Sequence, residues 1–251
     1  MNVRMRRLAA SALLLLGALG IAAPATQAAA PAELCTTTGA GVIPTSERCA
    51  NRTYAEWSAA FWQYALGQPT TSSPLADPTG ANCQVGQSGQ VFFLAGTFDG
   101  SAAVRNCVVP AGKTLFFPVI TIIDVSTPPG FCQRLPNLGQ VAICAPESPD
   151  KLLADVKPVE DSAVGLRASI DGASVSPTGF RVQSQAFSLF LPADNLFGGL
   201  LPKQAYMAVA DGYYLMVAPL PAGPHKIQFG GATPLNLFSQ DVTYSLVVSG
   251  P

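Results

Sequence analysis

The stretch VFFLAGTFDGSAAVRNCVVPAGKTLFFPVITII, residues 91–123, decides the fold. Its apolar segments are short, rich in Val, Ile and Phe, and separated by Asp99-Gly100 and by Pro110-Ala111-Gly112. Runs of β-branched and aromatic residues bounded by Gly, Pro and Asp read as strands rather than helices. Residues 91–98 and 102–109 therefore read as a hairpin about Asp99-Gly100. Residues 114–123 form the next strand, and Pro118, which has no N–H for a ladder, implies an edge position or a bulge there.

The same punctuation continues to the C-terminus. VGLRASI (164–170) ends at Asp171-Gly172, and FRVQSQAFSLFLP (180–192) changes phase midway, which implies a bulge or burial on both faces. YYLMVA (213–218) passes through PLPAGP into HKIQF (225–229), and DVTYSLVV (241–248) alternates cleanly. Seven or eight short strands with Gly/Pro turns and few helices predict a mostly β protein. The expected form is a single antiparallel β-sandwich of Greek-key or jelly-roll type.

Two helices are expected. TYAEWSAAFWQYALGQP (53–69) opens with a Thr53/Glu56 capping box and stops at Gly67 and Pro69, so the helix spans 54–66. Tyr54, Trp57, Phe61 and Tyr64 share one stripe, and Trp62 lies a quarter-turn away. A helix apolar around most of its circumference is built for burial, although Trp62 is also a candidate stacking surface. Ser148-Pro149-Asp150 starts a second, short helix, KLLADV, expected to stop before Pro158. Residues 68–90 and 126–148 read as long loops.

The N-terminus has a basic head (Arg4, Arg6, Arg7), an uncharged apolar run from Leu8 to about Ile21, and a small-residue tail. That is the pattern of a secretory signal peptide covering 1–30 and cleaved near Ala28 to Ala30, leaving one domain over 31–251. The expected address is secreted or periplasmic. The apolar run at 115–123 is too short to span a bilayer. Fourteen basic and fifteen acidic residues become eleven and fifteen without the three leader arginines, about −4 net. With no basic stripe, nucleic acid is not an expected partner. Cys35, Cys49, Cys83, Cys107, Cys132 and Cys144 give an even count that suits disulfides in an exported chain. Of fifteen pairings the sequential set is favoured, because each neighbouring pair brackets one loop or hairpin.

Several segments together resemble a family of exported bacterial proteins of unassigned function. They are YAEWSAAFWQYAL, TGANCQVGQSGQVFFLAGTF, CVVPAGKTLFFPV, FRVQSQAFSLFLPADNLFG and DGYYLMVAPLPAGPHKIQFGG. The resemblance covers most of the mature chain, including Cys83, Cys107 and His225. It implies a bacterial, extracytoplasmic setting and supplies no catalytic residues.

Candidate chemistry is sparse. GQSGQ (86–90) lacks the G-x-S-x-G spacing of a nucleophile elbow and reads as a Gly-rich turn. His225 is the single imidazole, so a Ser–His or His–metal mechanism depends on it, and Asp211 reaches it if strands 213–218 and 225–229 pair. Most acids sit in Asp-Gly or Asp-Asn turns (Asp99, Asp171, Asp194, Asp211), which is ordinary turn chemistry and not a glycosidase pair. The loop with Asp77 and Asn82 is oxygen-rich, but its spacing is not that of an EF-hand. Asn51-Arg52-Thr53 fits the glycosylation triplet, yet its threonine is explained as the helix cap. No cofactor and no metal site are expected. The leading expectation is an exported, non-catalytic binding or envelope-associated module. Its alternatives are a carbohydrate-binding module using Trp62, Tyr213 and Tyr214, and a hydrolase centred on His225 with Asp211. The candidate partner is a polysaccharide or another envelope component.

Overall fold

A computed structural model describes Cys35 and residues 41–127, 146–198 and 200–250. The expected signal peptide, Cys132 and Cys144 lie outside the described residues. The elements are α1 (Tyr54–Leu66), β1 (Val91–Phe93), β2 (Ala102–Val109), β3 (Thr114–Val125), α2 (Pro149–Asp161), β4 (Val164–Ile170), β5 (Ala173–Val175), β6 (Arg181–Gln183), β7 (Phe187–Leu191), β8 (Gln204–Val217), β9 (Gly223–Thr233) and β10 (Phe238–Val248).

The strands form two five-stranded sheets, as a mostly β sandwich requires. Sheet one runs β1-β3-β8-β6, with β7 also on β8, and sheet two runs β2-β10-β9-β4-β5. Most pairings are antiparallel, but β1 lies parallel to β3 and β2 parallel to β10. The expected hairpin over 91–109 is therefore not formed: β1 and β2 belong to different sheets. After Phe93 the chain leaves sheet one, and Gly96 passes so close to Gln240 that a Cβ would stand 2.3 Å from its Oε1. Asp99 receives the Ser101 amide at 3.0 Å and turns the chain onto sheet two.

Alternation sorts the side chains of sheet one. Phe116, Tyr214 and Met216 face α1, while Leu115, Phe117, Leu215 and Val217 face sheet two. Pro118 marks a bulge, as its missing N–H implied, within a strand paired with β1 at its start and β8 along its length. β1 ends at the partner of Phe116, so no ladder bond is asked of the proline.

α1 carries the expected capping box, with the Thr53 amide donating to Glu56 Oε2 at 2.7 Å. Its aromatics are buried and anchored: Trp57 Nε1 donates to Cys49 O at 2.9 Å and the Met216 amide donates to Tyr54 OH at 3.0 Å. Disulfides Cys35–Cys49 and Cys83–Cys107 follow the sequential pairing. The second ties β2, an edge strand, to the loop that covers it: Asn106 N donates to Thr79 O at 2.8 Å. That loop keeps an edge strand from offering free ladder groups.

Two other expectations change. Residues 180–192 are two strands, β6 and β7, interrupted where the Ala210 amide donates to Ser184 Oγ at 2.8 Å. α2 starts at the Ser148 cap but runs through Pro158 to Asp161. Interior proline costs about 3 kcal/mol, and the burial of Val159 together with the ion pairs of Asp161 to Lys157 and Arg181 holds the last turn in place.

Candidate functional site

The sequence-derived candidates are not assembled with one another. β8 and β9 lie in different sheets, because PLPAGP carries the chain across the sandwich instead of reversing it. Asp211 is fully buried within β8, not in a turn. The neighbouring Gly212 is required because a Cβ there would meet Thr121 Cβ at 2.4 Å. Arg181 holds Asp211 from two sides, Nε to Oδ1 at 2.9 Å and Nη2 to Oδ2 at 2.7 Å, and Gln183 Nε2 adds a bond at 2.8 Å. His225 instead meets Asp171, with Nδ1 2.7 Å from Oδ2 and Nε2 2.9 Å from Pro221 O. Both neighbours are acceptors, so the doubly protonated ring satisfies both. Burial opposes the charged ring, but Asp171 and the Pro221 carbonyl outweigh it and raise the His225 pKa. The pair sits where Asp171 and Gly172, both at positive φ, turn β4 into β5.

The stacking candidates are occupied by the core. Trp62 is 8 % exposed and donates to Tyr214 OH at 3.2 Å, and Tyr214 is wholly buried. Tyr213 is half-buried with the Arg181 guanidinium 5.9 Å from its ring. An aromatic row open to a sugar is therefore not what these three residues make. Asp77 is likewise engaged by its own loop, taking the Thr79 amide at 2.8 Å and the Asn82 amide at 2.7 Å. In GQSGQ the working residue is Gln87, whose amide pairs with Phe93 N and O at 3.0 and 2.8 Å and so imitates a strand beside β1.

Two concavities stand out among the described residues. A shallow depression of about 530 Å³ lies beside His225, Lys226, Val108 and Val247 on the outer face of sheet two. It is wide open to solvent and would cover little of a ligand. The second is a more enclosed cleft of about 320 Å³ at the end of the sandwich, where β3 beyond its bulge meets α1, α2 and the segments 96–98 and 235–240. Phe61, Trp62, Ile123, Val156, Phe197 and Phe238 are among its apolar walls. Gln240 braces it, with Nε2 donating to Pro118 O at 3.0 Å and Val119 O at 2.8 Å and Oε1 receiving the Thr97 amide at 3.2 Å. Phe98, 37 % exposed, and Leu235, 62 % exposed, also line it and face water.

Asp124 and Asp155 bring carboxyls to the cleft wall. One oxygen of each and one of Glu147 lie within 4.8 Å of one another, the one such acidic group among the described residues. Lys151 of α2 enters the group, bonded to Asp155 and 3.8 Å from Glu147, so the set already contains a cation. Burial above all, then the charges of Asp155 and Glu147, push the Asp124 carboxyl up to about 7, against the Val125 amide and Lys151. Glu160 of α2 is fully buried, with the Tyr213 backbone, Asp211 and Arg181 as its polar surroundings. Burial, then the Asp211 charge, push it up to about 9 despite Arg181, so it is a neutral acid at physiological pH.

Reading acids by their neighbours in sequence missed this group, because Asp124, Glu147 and Asp155 are not in Asp-Gly turns. One signal was available: Asp124 is the first charge after the apolar run 114–123. Among the described residues no helix is long and apolar enough to cross a membrane. No family model, curated protein or solved structure matches the chain.

Proposed function

We propose that the protein is an exported, non-catalytic binding module that holds a small, mainly apolar ligand in the cleft between β3, α1 and α2. The observation that supports this reading is the cleft itself. It is of ligand size, it is walled by apolar and aromatic side chains, and a few polar groups converge on it, the combination that marks small-molecule sites. Export is supported by the leader-like N-terminus and by two disulfides, which persist in oxidising compartments. The family resemblance points to the same setting.

Trp62 lines the cleft, so its emission reports on occupancy. Titration with octanol is expected to shift that emission saturably, and Ile123→Trp, read by calorimetry, is expected to abolish binding by filling the cleft. Octanol binding that is absent, or unchanged in Ile123→Trp, rejects the cleft as the site. Mass spectrometry of the protein recovered outside the cytoplasm tests export: a mature N-terminus near residues 29–31 is expected, and retention of Met1 overturns it.

A further inference from the structure

We infer that the ligand of this cleft is an amphipathic cation, an apolar body bearing a protonated amine that settles against Asp124. This rests on the cleft being the binding site. Charge is the first ground. Asp124 from β3, Glu147 ahead of α2 and Asp155 from α2 face one another, and among the described residues the single cation facing them is Lys151 of α2. One ammonium against three carboxyls leaves the group short of positive charge, and Lys151 is committed to Asp155 and Glu147 rather than to Asp124. A carboxyl held among carboxylates in a poorly hydrated wall gains from a cation delivered to it. Burial raises the Asp124 pKa most, and the neighbouring Asp155 and Glu147 charges add to it.

The second ground is independent of the acids. Thr97, 7 % exposed, lines the same cleft, and its hydroxyl has no hydrogen-bond partner. A buried unpaired hydroxyl costs free energy that a polar ligand group recovers. The cleft thus offers an anionic wall and one unpaired hydroxyl beside walls that are mostly apolar. A fatty anion meets repulsion from Asp124 and Asp155. A sugar would set part of its hydroxyls against the aromatic and aliphatic walls. A hard metal ion asks for six or more oxygens, and Lys151 already occupies part of the carboxylate group. An alkyl or aryl ammonium matches all of these features.

The test uses octylamine, octanol, octanoate and calcium on the full mature chain, followed by Trp62 emission and calorimetry at about pH 8 and about pH 5. Octylamine is expected to bind roughly tenfold tighter than octanol at the higher pH, with the gap narrowing as Asp124 takes up its proton. Asp124→Asn is expected to erase the gap while leaving octanol binding intact, which also shows that the variant is folded. Equal affinity for amine and alcohol, or tighter octanoate, overturns the cation class and leaves the cleft standing as a site. Calcium that competes with octylamine and is lost in Asp124→Asn overturns it in favour of a metal. Binding of none of the probes overturns this inference together with the reading it rests on.

Discussion

The two sheets differ in what covers them, and their strands are written accordingly. Sheet one is sandwiched between α1 and sheet two, and in β3 every residue from Thr114 to Ile120 is buried. Sheet two has one wet face, and β2 and β10 alternate, with Ala103, Arg105, Cys107 and Val109 inward and Val104 and Val108 outward. A strand buried on both faces shows a continuous apolar run, and a half-covered one shows period two. The helix that closes sheet one is accordingly aromatic around most of its girth. Among the described residues no second helix covers the outer face of sheet two, which mixes Ser, Thr, Asn and Lys with a few valines.

The sharpest break of this comparison is to hollow out one sheet and trim the other. Phe116→Ala, between α1 and sheet one, is expected to cost about 3–5 kcal/mol, whereas Val104→Thr on the wet face stays within about 0.5 kcal/mol. Denaturant melts of both variants measure this, and similar losses would end the distinction. Next in size, replacing Cys83 and Cys107 by Ser is expected to cost roughly 3 kcal/mol and to speed hydrogen exchange along β2, whose edge depends on that loop. Loss of stability without faster exchange would mean that the disulfide acts on the unfolded chain alone.

The pH response separates the two sides as well. Glu160 stays neutral in the fold up to about 9 but ionises near 4.5 once exposed. Between those values unfolding releases its proton, so stability falls as pH rises, by about 1 kcal/mol per unit. Glu160→Gln is expected to remove that slope, and an unchanged pH–stability curve would place the carboxyl in contact with water. The smallest effect belongs to His225 at the rim of sheet two. Its raised pKa means that its contribution is full below 6.5 and fades as pH rises through the folded value. His225→Ala is expected to cost under about 1 kcal/mol at low pH and nothing at high pH, read from melts across the range.

What was legible follows from how locally each feature is determined. The Thr53 cap, the Asp171-Gly172 turn and the alternation of 241–248 depend on neighbours within a few residues, and each is found where the pattern put it. The hairpin expected around Asp99-Gly100 was not, because a turn motif states that the chain reverses and not which strand lies beside it. Pro158 shows the same limit: its local cost is real, and the burial of Val159 with the ion pairs of Asp161 outweighs it. The pairing of Asp211 with His225 failed for a reason no local pattern holds, namely that PLPAGP crosses between sheets.

By itself, then, the sequence determined the α1 cap and the strands at 102–109, 164–170 and 241–248, and it favoured without deciding the pairing of Cys35 with Cys49 and Cys83 with Cys107, since periodicity and capping act over short stretches. The tertiary structure alone decided the parallel partners β1–β3 and β2–β10, the burial of Trp62 and Tyr214, and the meeting of Asp124, Glu147 and Asp155. Those depend on which faces are desolvated together. Burial and the neighbouring charges that move the Asp124 carboxyl to about 7 do not exist until β3 and α2 are packed against each other.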